Sequence, residues 1–104
     1  MPNPRIEQFK KMLAIEPHDE VMWFGLGKAY MEEGNYDEAA SALSQCIRAK
    51  PNYSAAYYAL AQSLEKVGRK EECRSICDQG IAVSKQNGDA MVTKQLEALK
   101  TSLS

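Results

Sequence analysis

Three cysteines and one histidine are the side chains best suited to thiol or metal chemistry in this sequence of 104 residues. Cys73 and Cys77 are four residues apart, so both thiols would face the same way on a helix, and Cys46 lies earlier in the chain. A zinc site needs about four ligands, and His18 falls in a predicted loop after Pro17, away from these thiols. A catalytic thiol needs a neighbouring base, and the spacing places none. We expect small buried thiols, with a thiol or metal site as the alternative.

The rest of the chain offers no catalytic constellation, since it lacks a glycine-rich phosphate loop, a paired-carboxylate motif and a serine nucleophile elbow. Thirteen Lys and Arg against fourteen Asp and Glu leave a net charge of -1, with no basic excess to attract phosphate backbones or anionic lipid. We therefore expect a protein that is not an enzyme, holds no cofactor or metal, and has neither nucleic acid nor a membrane as its partner.

The length and the cysteine count suit one cytoplasmic domain. A chain of 104 residues, 44% of them hydrophobic, can form a single core over 1–104 without disulfides or a metal. No stretch reaches the roughly 18 apolar residues of a membrane-spanning helix, and no export signal is recognised at the N-terminus. An odd count of three cysteines is typical of free thiols in a reducing compartment.

An internal repeat organises the chain. A shift of 34 residues places large side chains on large ones and small on small. The matched pairs are Pro17 and Pro51, Trp23 and Tyr57, Leu26 and Leu60, Gly34 and Gly68, Ala39 and Cys73, and Ile47 and Ile81. The shift predicts a half-repeat helix at 4–16, repeat one at 20–53, repeat two at 54–87 and a capping helix at 89–102.

Apolar residues recur at spacings of three and four within each unit, and this helical period predicts an all-α fold. Short links between the helices make sequential neighbours antiparallel. Asn3, Asp19 and Asn35 can cap helix starts, Gly34 suits a left-handed helix end, and Glu38 would complete a capping box with Asn35. The predicted helices cover 4–16, 19–33, 36–49, 53–67, 70–86 and 89–102.

Repeat one resembles a tetratricopeptide repeat, or TPR. The residues that carry the family pattern are Trp23, Leu26, Gly27, Tyr30, Gly34, Ala39, Leu43, Cys46 and Pro51. Repeat two is looser, with Cys73, Cys77, Gly80 and Lys85 in place of alanine, a bulky residue, the usual small residue and the proline. Without that proline its second helix is expected to run longer. The resemblance implies a right-handed superhelix of antiparallel helix pairs, a TPR-type α-solenoid of about six helices.

The resemblance also implies a function. TPR arrays act as protein-interaction scaffolds, usually hold an extended peptide or a helix in their concave groove, and are rarely catalytic. We therefore expect a protein-binding adaptor whose choice of partner depends on the residues that line this groove.

The first helix of each unit carries a second face, about 130° from the face that packs the hairpin. Phe24 and Tyr58 lie one repeat apart on this face, so they should stand on adjacent helices about 10 Å apart. Gly25 and Ala59 would leave the floor beside the two rings open. The predicted groove residues are Val21, Phe24, Lys28, Met31, Tyr58, Gln62 and Glu65.

A competing interpretation is that neighbouring helices simply cover Phe24 and Tyr58. The glycine inside the helix at Gly25 implies a close approach, by a ligand or by another helix. For Val92 and Leu96 on the last helix, packing onto Tyr58 is the favoured interpretation.

One TPR specialisation binds the acidic C-terminal tails of heat-shock chaperones with a carboxylate clamp of Lys, Asn, Asn, Lys and Arg. The chain departs from this set, since the matching positions hold Phe24, Lys28, Ala59, Asp89 and Thr93. We expect an apolar, near-neutral peptide partner instead, bound with an affinity on the order of micromolar.

Self-association is the alternative function. The first predicted helix is the second half of an incomplete unit, so Phe9 and Met12 lack the partner helix of a longer array. An exposed apolar remainder could pair with another copy and form a homodimer or a larger scaffold. Against this, Glu7, Lys10 and Lys11 would form a polar face that caps the stack.

Overall fold

The computed structural model describes residues 3–103, and this range contains six helices and no strand. The helices are α1 (Pro4–Ile15), α2 (Glu20–Glu32), α3 (Tyr36–Ala49), α4 (Ser54–Lys66), α5 (Lys70–Asn87) and α6 (Ala90–Ser102). The all-α prediction is confirmed, and every helix end lies within one residue of its predicted position.

Local capping sets where the helices begin and end. The predicted N-caps that the structure confirms are Asn3, Asp19 and Asn35. The capping box was wrong in its second half, because the backbone N–H of Asn35 donates to the carbonyl of Tyr30 at 2.9 Å instead of to Glu38. Gly34, at φ +75°, turns the chain back so that this bond closes the end of α2.

The first helix of each repeat is tied to the loop before it by one ring. The indole Nε1 of Trp23 donates to the carbonyl of Pro17 at 2.8 Å, and the hydroxyl of Tyr57 donates to the carbonyl of Pro51. The two bonds lie 34 residues apart, so the sequence repeat is also a repeat of hydrogen bonds. When a Trp or Tyr ring packs into a core, its N–H or O–H group needs a hydrogen-bond partner, and these two carbonyls supply it.

The helices form two rows. Consecutive helices pack against each other, and in addition α2 approaches α4 and α4 approaches α6, with Cα atoms within 8 Å. Within residues 3–103, no two of α1, α3 and α5 come that close. We therefore call α2, α4 and α6 the inner helices and the other three the outer helices, since the closer row lies on the concave side of a curved stack.

The end of repeat two follows the looser pattern that its sequence indicated. Without a proline at Lys85, α5 runs for 18 residues to Asn87, the longest helix described. Gly88 then adopts φ +71° and turns the chain into α6. Close packing joins α6 to the second helix of repeat two, because Leu96 is fully buried and its Cδ1 would lie 2.6 Å from a Cβ placed on Gly80.

Candidate functional site

The seven predicted groove residues lie on two inner helices that contact each other, α2 and α4. Val21 is 52% exposed, and Lys28 and Glu65 are also exposed. The half-buried members are Phe24, Met31, Tyr58 and Gln62. The two rings are thus neither free in solvent nor covered: one side of each packs on the core and part of it reaches the surface.

The ring that contacts Phe24 is Tyr53, which the sequence analysis did not include. The two ring centroids are 5.1 Å apart with the planes inclined at 34°. Such a tilted pair contributes about 0.5 to 1.5 kcal/mol beyond its area. Tyr53 occupies the N-cap position just before α4, whereas the helical periodicity that identified Tyr58 describes only residues inside the helix. Its place directly after Pro51 and Asn52 in the loop was the only signal that could have found it.

Tyr53 is held beside charged and polar groups. The Nζ of Lys50 lies 6.0 Å from the Tyr53 ring centroid, at the outer limit of a cation–π contact. Burial, followed by the charges of Cys46 and Glu20, raises the pKa of the Tyr53 hydroxyl. The phenol is therefore neutral at pH 7, and its hydroxyl can donate or accept a hydrogen bond at the edge of the groove.

The floor beside the rings is closed, which corrects the expectation of an open floor. A Cβ placed on Gly25 would lie 2.5 Å from Cζ of Phe9, so the glycine admits the ring of Phe9 from α1. Ala59 is 3% exposed and belongs to the core. The close approach that a glycine inside α2 implied is that of a neighbouring helix.

The far end of the inner row is closed by α6. Val92 and Leu96 are buried, which confirms that both side chains pack into the fold, and Leu96 meets Gly80 beside Tyr57. Their contact with Tyr58 stays a prediction. Asp89 caps α6 and accepts a hydrogen bond from Oγ of Ser54 at 2.8 Å, which joins α6 to the start of α4. The accessible apolar strip is therefore confined to α2, α4 and the loop before α4.

The positions of the carboxylate clamp hold no cluster of cations. Lys28 is the single cation among them. Asp89 is engaged with Ser54, and the Oγ1 of Thr93 lies 2.6 Å from Oγ of Ser84 in the core. An acidic peptide end would therefore meet one ammonium group and one carboxylate along this row, which is a poor match for two or more negative charges.

The strip lies apart from five cavities of the described residues. None of these five cavities is lined by any of the seven predicted groove residues. One cavity of about 350 Å³ lies between α1, α2 and α3, with Leu13, Trp23 and Leu26 in its wall. Charges flank the strip, since Lys28 on α2 and Glu65 on α4 are exposed and form no ion pair within residues 3–103.

The three thiols are buried and free, which confirms the packing interpretation. Burial raises the pKa of Cys46 to about 11 and the pKa of Cys77 to about 12. Cys73 donates to the carbonyl of Ala61 at 3.2 Å. A buried thiol that stays protonated at pH 7 is a poor nucleophile. Over residues 3–103, no group of three His, Cys, Asp or Glu side chains is placed to hold a metal ion.

No helix between residues 3 and 103 has the length and apolar character to cross a membrane.

Known proteins share this repeat and this fold. The family model for the tetratricopeptide repeat matches residues 6–45 and 30–93. A TPR repeat-containing protein of Pseudomonas aeruginosa is 33% identical over 91 residues, which are 88% of this chain and 87% of that protein.

Solved structures agree. The solution structure of a Bordetella parapertussis protein has a TM-score of 0.81 at 29% identity, over 99% of this chain and 89% of that one. The Yersinia enterocolitica type III secretion chaperone SycD, in complex with a peptide of the translocator YopD, has a TM-score of 0.77 at 19% identity, over 95% and 79%. These likenesses confirm the TPR-type α-solenoid that the sequence predicted.

Proposed function

Because the chain belongs to the tetratricopeptide repeat family, we propose that it is a non-enzymatic adaptor that binds a peptide segment of a partner protein across α2 and α4. The single observation that carries this proposal is an apolar strip on two contacting inner helices. It combines the exposed Val21 with the half-buried Phe24, Met31, Tyr53 and Tyr58.

The strip suits a peptide with one or two apolar side chains. Rings that are held on one side by the core and reach solvent on the other lose little conformational entropy when a ligand covers them. The tilted pair of Phe24 and Tyr53 offers a rigid edge, and Tyr58 lies further along α4. Side chains of this kind are the usual anchors of protein interfaces.

The polar residues beside the strip favour a near-neutral peptide. Lys28 and Glu65 carry opposite charges on neighbouring helices, and the half-buried Gln62 offers both a donor and an acceptor to a peptide backbone. The strip lacks the cluster of cations that an acidic chaperone tail needs for binding. Binding of a short apolar segment on this strip is expected at roughly micromolar Kd.

A solved neighbour supports a peptide as the ligand. SycD, which shares the fold, was solved with a peptide of the translocator YopD. Its identity to this chain is 19%, so the likeness supports the kind of ligand and says nothing of its sequence. We place the adaptor in the cytoplasm, because its three free thiols suit a reducing compartment.

Selection from a displayed peptide library tests the proposal without assuming a partner. The native chain is expected to enrich peptides with two apolar residues and a net charge near zero. A Phe24→Ala, Tyr58→Ala double variant should bind the enriched peptides at least about tenfold more weakly, since each large-to-small change at a buried contact costs about 1 kcal/mol or more.

Ile15→Ala is the matched control, because Ile15 is an exposed apolar residue on α1, outside the strip. It should leave peptide binding unchanged. Equal binding by the double variant would contradict the groove assignment, and enrichment of peptides with an acidic C-terminus would contradict the chemistry assigned to the partner.

A further inference from the structure

Large exposed apolar side chains concentrate on the two terminal helices. Residues 3–103 contain four of them, and three lie on α1 or α6: Met12 is 47% exposed, Ile15 80% and Met91 71%. The fourth, Val21, belongs to the strip on α2. Exposed apolar side chains therefore lie at both ends of the stack, two on α1 and one, Met91, on α6.

The 34-residue register assigns these residues to positions that face each other inside a helix hairpin. Met91 occupies the position of Trp23 and Tyr57, in the first helix of a unit. Met12 occupies the position of Gly80, in the second helix of a unit, and Ile15 that of Ala49.

Within the chain, the residues at these positions touch. A Cβ placed on Gly80 would lie 2.6 Å from the Cβ of Tyr57, so these two positions are in direct contact across the hairpin of α4 and α5. Trp23 and Ala49 line one cavity at the same end of the hairpin of α2 and α3. A pairing of α6 with α1 would therefore bring Met91 against Met12 and Ile15.

From this register we infer that α6 of one copy packs against α1 of a second copy, and that the two helices form a hairpin between molecules. The partner of this surface is a second copy of the chain. The interface is heterologous, because one molecule contributes α6 and the other α1. Such contacts leave a free α1 and a free α6 at the two ends of every assembly, so they extend into open chains unless the rotation closes a ring.

Charge in the register agrees with this pairing. Lys94 occupies the position of Leu26, and Glu7 occupies the position of Ser41. Leu26 and Ser41 line the same cavity within the chain, so Lys94 of one copy would lie on the same side of the contact as Glu7 of the next, whose carboxylate is 4.0 Å from Nζ of Lys10 on its own helix.

The sizes of the side chains also agree with this pairing, because a large residue on the first helix and a small one on the second are replaced by a small one and a larger one. Tyr30 and Ala42 line that same cavity. Their equivalents are Ala98 and Gln8, so the larger side chain lies on α1 instead of α6.

The association is expected to be weak and reversible. The position of Gly27 is held by Gln95 on α6, and the position of Leu43 by Phe9, whose ring already packs against Gly25 of its own chain. A glutamine in place of the glycine holds the two helices further apart, so less apolar surface is buried than inside a hairpin. The inferred assembly therefore forms at high concentration and dissociates on dilution.

Sedimentation velocity of the native chain tests the inference from about 1 µM to about 1 mM, a range that brackets weak association. The sedimentation coefficient should rise with concentration beyond that of a dimer. Met91→Glu and Ile15→Glu should each weaken self-association at least about tenfold, because each places a charge in the apolar contact. Both residues are highly exposed, so both variants should keep the helical circular dichroism of the native chain.

The mixture of these two variants is the decisive sample. Each variant retains one intact surface, so an equimolar mixture should form dimers and nothing larger. Ala82→Glu on the exposed side of α5 is the matched control and should assemble like the native chain.

Charge reversal supplies a second readout. Lys94→Glu should weaken assembly about threefold, as expected for an exposed ion pair, and adding Glu7→Lys should restore it.

A native chain that stays monomeric over the whole concentration range would overturn the inference. So would a dimer that survives Met91→Glu, or a mixture that remains monomeric, since either result assigns the contact to other surfaces. Because none of the groove residues takes part, these outcomes do not bear on peptide binding.

Discussion

Glycines inside the helices are the residues whose roles the sequence alone resolved least. Gly25 and Gly80 both cost their helices about 1 kcal/mol relative to alanine. The two glycines differ in the atoms that lie opposite them. The tip of the half-buried Phe9 ring faces Gly25, whereas the Cβ of Tyr57 and the buried Leu96 face Gly80. A ring tip can move aside at low cost, whereas a Cβ moves only with its helix.

Alanine substitution at the two glycines should therefore give different results. Gly80→Ala is expected to lower the free energy of unfolding by about 1 to 3 kcal/mol, because overpacking outweighs the gain in helix propensity. Gly25→Ala should change it by less than about 1 kcal/mol, since the propensity gain offsets the displacement of Phe9. Urea denaturation measures both, and a larger loss for Gly25→Ala would contradict the packing described.

The buried thiols predict a decrease in stability at high pH. Burial raises the pKa of Cys46 from 9.0 to about 11 and of Cys77 from 9.0 to about 12. The unfolded chain therefore loses these protons at lower pH than the folded protein does. The contribution of each thiol is complete below about pH 9 and is lost as the pH rises toward 11 or 12.

Two measurements check the predicted loss of stability at high pH and the burial of the thiols. Denaturation between about pH 8 and 11 should show a falling free energy of unfolding, and Cys77→Ala should reduce the slope. At pH 8 a thiol reagent should react slowly with the native chain and rapidly with all three thiols in denaturant. Rapid reaction of the native thiols would disprove their burial.

At the scale of helices, the cap of α6 is the contact on which the closed end of the inner row depends. Asp89 accepts from the backbone N–H of Val92 at 3.4 Å and from Oγ of Ser54 at 2.8 Å. One side chain thus starts α6 and holds it to α4. Val92 and Leu96, which cover the core beside Tyr57, depend on this placement.

Asp89→Ala should lower the free energy of unfolding by about 1 to 2 kcal/mol, the usual cost of a lost N-cap with an added hydrogen bond. Amide exchange should accelerate most in α6. Asp78→Ala is the control: its ion pair with Lys100, 2.6 Å long, is exposed, so it should cost less than about 1 kcal/mol. Equal losses from the two variants would show that the cap does not hold α6.

The helices were predictable from the sequence because their causes are local. Apolar spacing, the caps Asn3, Asp19 and Asn35, and the turn at Gly34 each act within a few residues. The partners of Phe24 and Gly25 were not predictable, because they come from other elements. Tyr53 belongs to a loop that periodicity does not describe, and Phe9 reaches Gly25 from α1.

At the scale of the whole molecule, the repeat separates two kinds of surface. The inner row presents the apolar strip of α2 and α4, closed at one end by α6. The ends of the stack present the exposed Met12, Ile15 and Met91. We propose a different partner for each, a peptide for the strip and a second copy for the ends, and variants of one surface leave the other intact.

The repeat predicted the stack but not how much of the inner row is accessible. The 34-residue period implied that α2, α4 and α6 lie side by side, and the structure confirms their contacts. How far the strip extends depends on how α6 covers the core, which follows from long-range packing of Leu96 on Gly80 and Tyr57. How much of the strip is exposed to solvent therefore depends on contacts between helices that are distant in sequence, and the repeat alone does not predict it.

The location of a bound peptide tests the account most directly. Nuclear magnetic resonance titration of the labelled chain with a peptide enriched by the library selection would map it residue by residue. Shift changes should concentrate on Val21, Phe24, Tyr53, Tyr58 and Gln62, and should be absent from the outer helices α3 and α5. Changes confined to the outer helices, or to the cavity between α1, α2 and α3, would contradict the assignment of the strip as the binding groove.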